Sequence, residues 1–183
     1  NATKKPITAK LRIGLEKETF LEVAKEAEKN GADAICLHAR FGKQGYSGVA
    51  DWKKIKELKN KVKVPVIGNG DVVDVTTYKK MKKETNCDFV MVARGIIGNA
   101  FLFKQIKQFC EGKKVKEKNE KEILIEGKRF LELANDFSLG VNNVRGYFIG
   151  LANGFNGAKK LRDSFARAKN IEEIEKPFLK FFK

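Results

Sequence analysis

Apolar positions in the first part of the chain follow two alternating periods, and the polar positions between them fall where turns and caps belong. Residues 6–13 alternate: Ile7, Ala9, Leu11 and Ile13 share one face, while Thr8, Lys10 and Arg12 share the other, the period of a strand. Thr19 and Glu22 have the spacing of a capping box. Phe20, Val23, Ala24 and Ala27 then form a helical stripe that Gly31 ends. Ala34–His38 reads as a second strand. A glycine-rich loop follows, and Asp51 is placed to cap a helix carrying Trp52, Ile55 and Leu58. The third strand is expected at Val64–Ile67, with Asp74 capping a helix that carries Val75, Tyr78 and Met81. The fourth is expected at Phe89–Val92, followed by a helix with Phe101, Leu102, Ile106 and Phe109.

Strand and helix thus alternate four times over residues 1–110, close to the repeat of a (β/α)8 barrel. The fold class expected is α/β, the second half of a TIM barrel followed by a small all-α bundle. Closure requires twice as many units. The other half is therefore expected to lie outside a chain that opens on Asn1 rather than Met, and an open half-barrel is expected to expose its inner side chains and associate. Residues 111–121 read as a Lys/Glu-rich hinge. Residues 122–183 then carry only helical periodicity: Ile123, Phe130, Leu131, Ala134 and Phe137; Val144, Phe148 and Leu151; Leu161, Phe165 and Ala168; Ile171, Ile174, Phe178, Leu179 and Phe182.

Two motifs close the third and fourth apolar runs. Pro65-Val66-Ile67-Gly68-Asn69-Gly70-Asp71 and Phe89-Val90-Met91-Val92-Ala93-Arg94-Gly95 each end in glycine with a polar or cationic residue. The loops after the last two strands of a barrel often hold a phosphate, because glycine lets backbone N–H groups approach an anion. The pair is a candidate phosphate cradle with Arg94 as its cation. Asn69 alone also suits a plain turn, and Asp71 suits either a cap or a turn. Lys10 and His38 lie on neighbouring expected strands and would converge near the carboxyl ends if their faces look into the barrel. Trp52 reads as core.

Composition sharpens this only in part. The net charge is +15, from 38 Lys and Arg against 23 Asp and Glu, which favours a polyanionic partner. Most lysines alternate with Glu on helix faces, so charge alone leaves nucleic-acid binding and a solvated basic face equally open. The bias is local in residues 139–170, where Arg145, Lys159, Lys160, Arg162, Arg167 and Lys169 face a single acid, Asp163. Cys36, Cys87 and Cys110 form no paired motif, which fits a reducing cytoplasm, and the lone His38 has no cysteine near it in sequence, which argues against zinc. No apolar run is long enough to span a membrane, and no signal-peptide pattern is present.

Taken in order, Thr8-Ala9-Lys10-Leu11-Arg12-Ile13-Gly14, His38-Ala39-Arg40, Gly45-Tyr46-Ser47-Gly48-x-Ala50-Asp51-Trp52, Ile67-Gly68-Asn69-Gly70-Asp71 and Ala93-Arg94-Gly95-x-x-Gly98-Asn99 resemble the tRNA-dihydrouridine synthases. The resemblance runs from about Ile7 to the end and is clearest over residues 7–103. It implies a cytoplasmic enzyme that uses FMN, reduced by NADPH, to convert uridine in tRNA to dihydrouridine. It also implies a flavin-binding barrel and a helical tRNA-binding domain. By that resemblance Lys10 and His38 would contact the flavin ring, and Asn69, Gly70, Ala93, Arg94 and Gly95 its ribityl and phosphate portion. Arg40, Lys43, Tyr46, Arg145, Lys159, Lys160 and Arg162 would contact tRNA.

The family's acid cysteine belongs to an Asn-x-Gly-Cys-Pro loop in the first half of the barrel. That loop has no counterpart here, so no catalytic residue is assigned and the chain by itself is expected to lack synthase activity. Arg145-Gly146-Tyr147 also departs from the Lys-His pair common in relatives. Two other readings stay open at this stage: a non-catalytic RNA-binding remnant, and another barrel that binds FMN or a sugar phosphate.

Overall fold

The structure is a computed structural model and describes residues 3–183. Its element order is β1 (Thr8–Arg12), α1 (Phe20–Lys29), β2 (Ala34–His38), α2 (Trp52–Lys59), β3 (Val66–Asn69), α3 (Val75–Thr85), β4 (Phe89–Met91), α4 (Phe101–Cys110), α5 (Glu120–Asp136), α6 (Val141–Leu151), α7 (Ala158–Arg167) and α8 (Glu172–Phe181). The four strands form one parallel sheet in the order β1-β2-β3-β4, as consecutive βα crossovers dictate.

Helices α1, α2 and α3 pack on one face of this sheet. Ile35, Leu37 and Val66 are fully buried there, beneath Ala24, Ile55, Leu58 and Met81. Gly68 allows the close approach: a Cβ at this position would lie 2.9 Å from Met81 Sδ and 3.1 Å from Cys87 Sγ. The opposite face is open. Phe89 is 61% exposed and Met91 37%, and β1 and β4 each leave one edge unpaired among the described residues.

Two of the three expected helix caps form. The Asp51 side chain accepts from the Lys53 amide, and Asp74 forms a full capping box with Thr77. Thr19 makes no side-chain cap. The first amides of α1 are satisfied by another route, since Thr19 N and Phe20 N both donate to the Ile13 carbonyl. Val23, expected in the buried stripe of α1, is 45% exposed. Strand β3 starts at Val66 and extends through Asn69, because Leu37 and His38 of β2 supply pairing partners for Gly68 and Asn69.

The chain divides into two compact units, Asn1–Gly95 and Ile96–Lys183. Helix α4 therefore groups with the second unit, whereas the βα rhythm places the edge after residue 110. The cause is a tight backbone contact. A Cβ on Gly98 would meet the Tyr147 carbonyl at 2.1 Å, and one on Gly150 would meet the Ile97 carbonyl at 2.4 Å, so the approach to α4 is locked onto α6. The core of the second unit centres on Phe148, with edge-to-face contacts to Phe165 at 5.8 Å and Phe178 at 4.8 Å. Residues 111–119 carry no helix or strand.

Candidate functional site

Strand register assembles the site. Arg12, His38, Asn69 and Met91 lie side by side across the carboxyl ends of β1 to β4, and Lys10, Cys36, Ile67 and Phe89 form the next row back. These rows occupy the face that α1–α3 leave uncovered. Cys36 Sγ lies 3.7 Å from Met91 Sδ across it. Parity alone thus sends two cations and the only histidine to one face.

A pocket of about 410 Å³ opens above these rows. It is lined by Lys10, Arg12, His38, Tyr46, Asn69, Gly70, Asp71, Val72, Val73, Met91, Ala93, Arg94 and Gly95. All seven residues expected around the flavin are brought together there, and Tyr46 joins them. Arg12 was missed as a site residue although its alternation with Lys10 already put it on the same face. It donates from Nη1 to the Phe41 carbonyl at 2.9 Å.

The electrostatics favour an anion. Burial and the nearby charges of Arg12, Lys10 and Arg40 push His38 down to about 4, with Asp71 opposing, so the imidazole is neutral at neutral pH, with one ring nitrogen able to donate and the other to accept. Asn69 is buried, and its Nδ2 donates to the Met91 carbonyl at 2.9 Å, tying β3 to the end of β4. The Arg94 guanidinium carbon sits 3.9 Å from the centroid of the Tyr46 ring.

Glycine works here through close approach as well as through backbone conformation. Gly70 has φ +126°, and a Cβ on it would lie 2.7 Å from Ala50 Cβ and 3.4 Å from the His38 ring. A Cβ on Gly95 would strike the Val72 carbonyl at 2.3 Å. The loops after β2, β3 and β4 are therefore packed against one another.

Arg40, expected at the substrate, is 2% exposed and committed elsewhere. Its Nη2 donates to Asp71 Oδ2 at 2.9 Å and to the Gly48 carbonyl at 2.8 Å. Its Nη1 is 2.8 Å from Asp71 Oδ1, an ion-pair distance without the angle of a hydrogen bond. Asp71, at φ +56°, also accepts from the Ala50 amide at 2.7 Å. Burial raises its carboxyl, but the Arg40 hydrogen bond, the Ala50 amide and the charges of Arg40 and Arg94 outweigh that and hold it below its ordinary value. The ambiguous Asp71 is thus a clasp rather than a helix cap. Lys43 is exposed and pairs with Glu16. Trp52 is half-buried, and its indole N–H donates to the Gly70 carbonyl at 3.0 Å.

In the second unit, Lys159 and Lys160 project from the first turn of α7 into solvent. Arg162 is half-buried, with Nη1 3.4 Å from the Ala152 carbonyl. Arg145, expected to contact substrate, instead donates through Nε and Nη2 to the Ala168 carbonyl at the end of α7, and through Nη1 to Asn142 at 2.9 Å. It caps a helix C-terminus, where a cation is favoured.

A family model described as dihydrouridine synthase (Dus) matches residues 1–183. The chain belongs to the dihydrouridine synthase family. A probable tRNA-dihydrouridine synthase of Mycobacterium leprae is 34% identical over 180 residues, covering 94% of this chain and 47% of that protein. Another from Aquifex aeolicus is 32% identical over 171 residues, covering 93% and 54%. A tRNA-dihydrouridine(16) synthase of Neisseria meningitidis is 31% identical over 183 residues, covering 96% and 54%. This member of the family spans about half the length of the curated relatives it matches. No helix among its described residues is long and apolar enough to cross a membrane, and no group of three or more His, Cys, Asp or Glu among them is placed to hold a metal ion.

Proposed function

We propose that this chain supplies the flavin-binding and RNA-binding parts of a cytoplasmic enzyme that reduces uridine to 5,6-dihydrouridine in tRNA, with FMN as cofactor and NADPH as reductant. The observation that carries the reading is the convergence of Lys10, His38, Asn69 and Arg94, from or just beyond four successive strands, on one pocket. The four βα units are half of a (β/α)8 barrel in this reading. The sheet face that α1–α3 leave uncovered and the edges of β1 and β4, unpaired among the described residues, support it, because a closed barrel would cover both.

The residues present fit FMN. Lys10, Arg12 and Arg94 line the pocket against one carboxylate, Asp71, which Arg40 already neutralises. The volume of about 410 Å³ is that of a small-molecule site. Bound FMN would supply the hydride that adds to C6 of the uracil. Arg94 would hold the phosphate by charge-assisted hydrogen bonds, with Asn69, Gly70, Ala93 and Gly95 around the ribityl chain. Lys10 would stabilise negative charge at the pyrimidine end of the ring system, and neutral His38 would hydrogen-bond beside it. Walls that include Met91 and Tyr46 would help to exclude water from a base that has left its stack.

None of the chain's own cysteines is given the role of protonating C5. Cys36 and Cys87 are buried, and Cys110 lies in the second unit. On unmodified tRNA with FMN and NADPH, the purified chain is therefore expected to form no dihydrouridine.

The helices of the second unit would grip the tRNA through Lys159, Lys160 and Arg162. The test of the whole reading is dihydrouridine in bulk tRNA, quantified by mass spectrometry, from cells whose gene carries Lys10→Ala with Arg94→Ala. Loss of the modified base at one or more positions is expected. Unchanged dihydrouridine at every position would refute the reading.

A further inference from the structure

Tyr46 and Arg94 come from different loops. Tyr46 lies in the loop between β2 and α2, and Arg94 follows β4. The loop carrying Tyr46 is fastened on the site side by Arg40, which donates to the Ser47 and Gly48 carbonyls, and by the Ala50 amide bound to Asp71. Gln44 braces it from within, donating to the Ser47 and Val49 carbonyls. Tyr46 is 63% exposed, so burial in a core does not account for its position. Over its face lies the Arg94 guanidinium, whose central carbon is 3.9 Å from the ring centroid.

The geometry points to Tyr46 as a positioning residue that confers preference for a phosphorylated flavin over its dephosphorylated form. The inference rests on the flavin reading of the pocket. A guanidinium lying flat on an aromatic face keeps all five N–H donors in its own plane and free, because the ring takes only the π-face of the cation. Those in-plane donors match two oxygens of a terminal phosphate at once. Without the ring, Arg94 is an exposed side chain with many rotamers, and ordering it would be charged against binding. The effect falls on the phosphate alone. Contacts to the isoalloxazine ring come from Lys10 and His38, which Tyr46 does not hold.

Affinities of the chain for FMN and riboflavin, measured by flavin fluorescence for the parent, Tyr46→Leu and Tyr46→Phe, test this. Tyr46→Leu is expected to weaken FMN about fivefold while riboflavin changes less than about twofold, and Tyr46→Phe is expected to restore the FMN preference. A purely structural role for the ring would move both ligands together. An FMN-to-riboflavin ratio that is equal in parent and Tyr46→Leu would overturn the inference and leave the flavin reading intact. A parent that binds neither flavin would instead overturn the flavin reading. In that case the Arg94 Nε–H resonance decides. An upfield position that is lost in Tyr46→Leu, together with a shift on adding inorganic phosphate in the parent only, supports Tyr46 as the positioning group. A resonance unaffected by the substitution refutes it.

Discussion

The guanidinium of Arg40 and the carboxylate of Asp71 meet at 2.8 Å where the loops after β2 and β3 adjoin, and the Arg40 side chain is 2% exposed against 32% for Asp71. This pair, with the Ala50 amide on the same carboxylate, fixes the loop that brings Tyr46 to the pocket. It is architecture supporting the site rather than a ligand contact.

Asp71→Asn is expected to leave the buried Arg40 without its counter-charge and to destabilise the fold by about 2–3 kcal/mol, toward the low end for buried pairs because Asp71 is partly exposed. The sign of the pH dependence follows from the lowered carboxyl. The stabilisation is fully present above the unfolded-state value and is lost as pH falls through the lower folded value. Urea denaturation at pH 7 and near pH 3 should show the parent and Asp71→Asn converging in acid. A gap of the same size at both pH values would contradict the clasp.

His38 is the only histidine of the chain, so its titration can be read without assignment. Its folded value of about 4 lies below the ordinary 6.5, so folding stability should fall as pH drops between those values. The imidazole carbon-bound proton shifts should stay flat from pH 8 to about 5 and move with a midpoint near 4. A midpoint between 6 and 7 would mean that the ring is charged and solvated, and the neutral hydrogen-bonding role would go with it.

Arg145 and the α7 cations should separate by experiment. Arg145→Ala is expected to cost about 1–3 kcal/mol of stability, through the loss of its bonds to the Ala168 carbonyl, with little change in RNA affinity. Lys159, Lys160 and Arg162 changed together to Ala should weaken tRNA binding and flatten its salt dependence by up to about three phosphate contacts. A salt titration in which Arg145→Ala alone flattens the slope would reverse these assignments.

Gly95→Ala places a methyl group against the Val72 carbonyl and should spread the loops after β3 and β4. FMN affinity is expected to drop about tenfold or more, with destabilisation of about 1–3 kcal/mol from overpacking. Parental affinity and parental melting temperature in this variant would show that the loops do not need this contact.

Much of the site was legible because it depends on strand parity. Once residues 6–13 and 34–38 are recognised as strands, alternation alone puts Lys10 with Arg12 and Cys36 with His38. What parity cannot show is pairing between loops. In sequence Asp71 suits a cap or a turn equally, because its neighbours are turn residues, and only the fold brings the Arg40 guanidinium to it. Arg145 looked like a free cation for the same reason, since the carbonyl it caps lies on a different helix. Helix α4 has the amphipathic pattern of a barrel helix, and the close backbone approach at Gly98 and Gly150, which no periodicity signals, is what groups it with α6. At Thr19 the capping-box spacing was present, but the Ile13 carbonyl had already satisfied the local amides.

In the proposed function the pocket at the strand carboxyl ends would hold FMN by its phosphate on Arg94. Titration of FMN into the chain and into Arg94→Ala, each checked for an unchanged melting temperature, tests it most directly. Saturable binding to the parent is expected, with a loss of about tenfold or more in Arg94→Ala, the size of one charge-assisted contact. Absence of FMN binding by the parent, or equal affinity in both proteins, would contradict it.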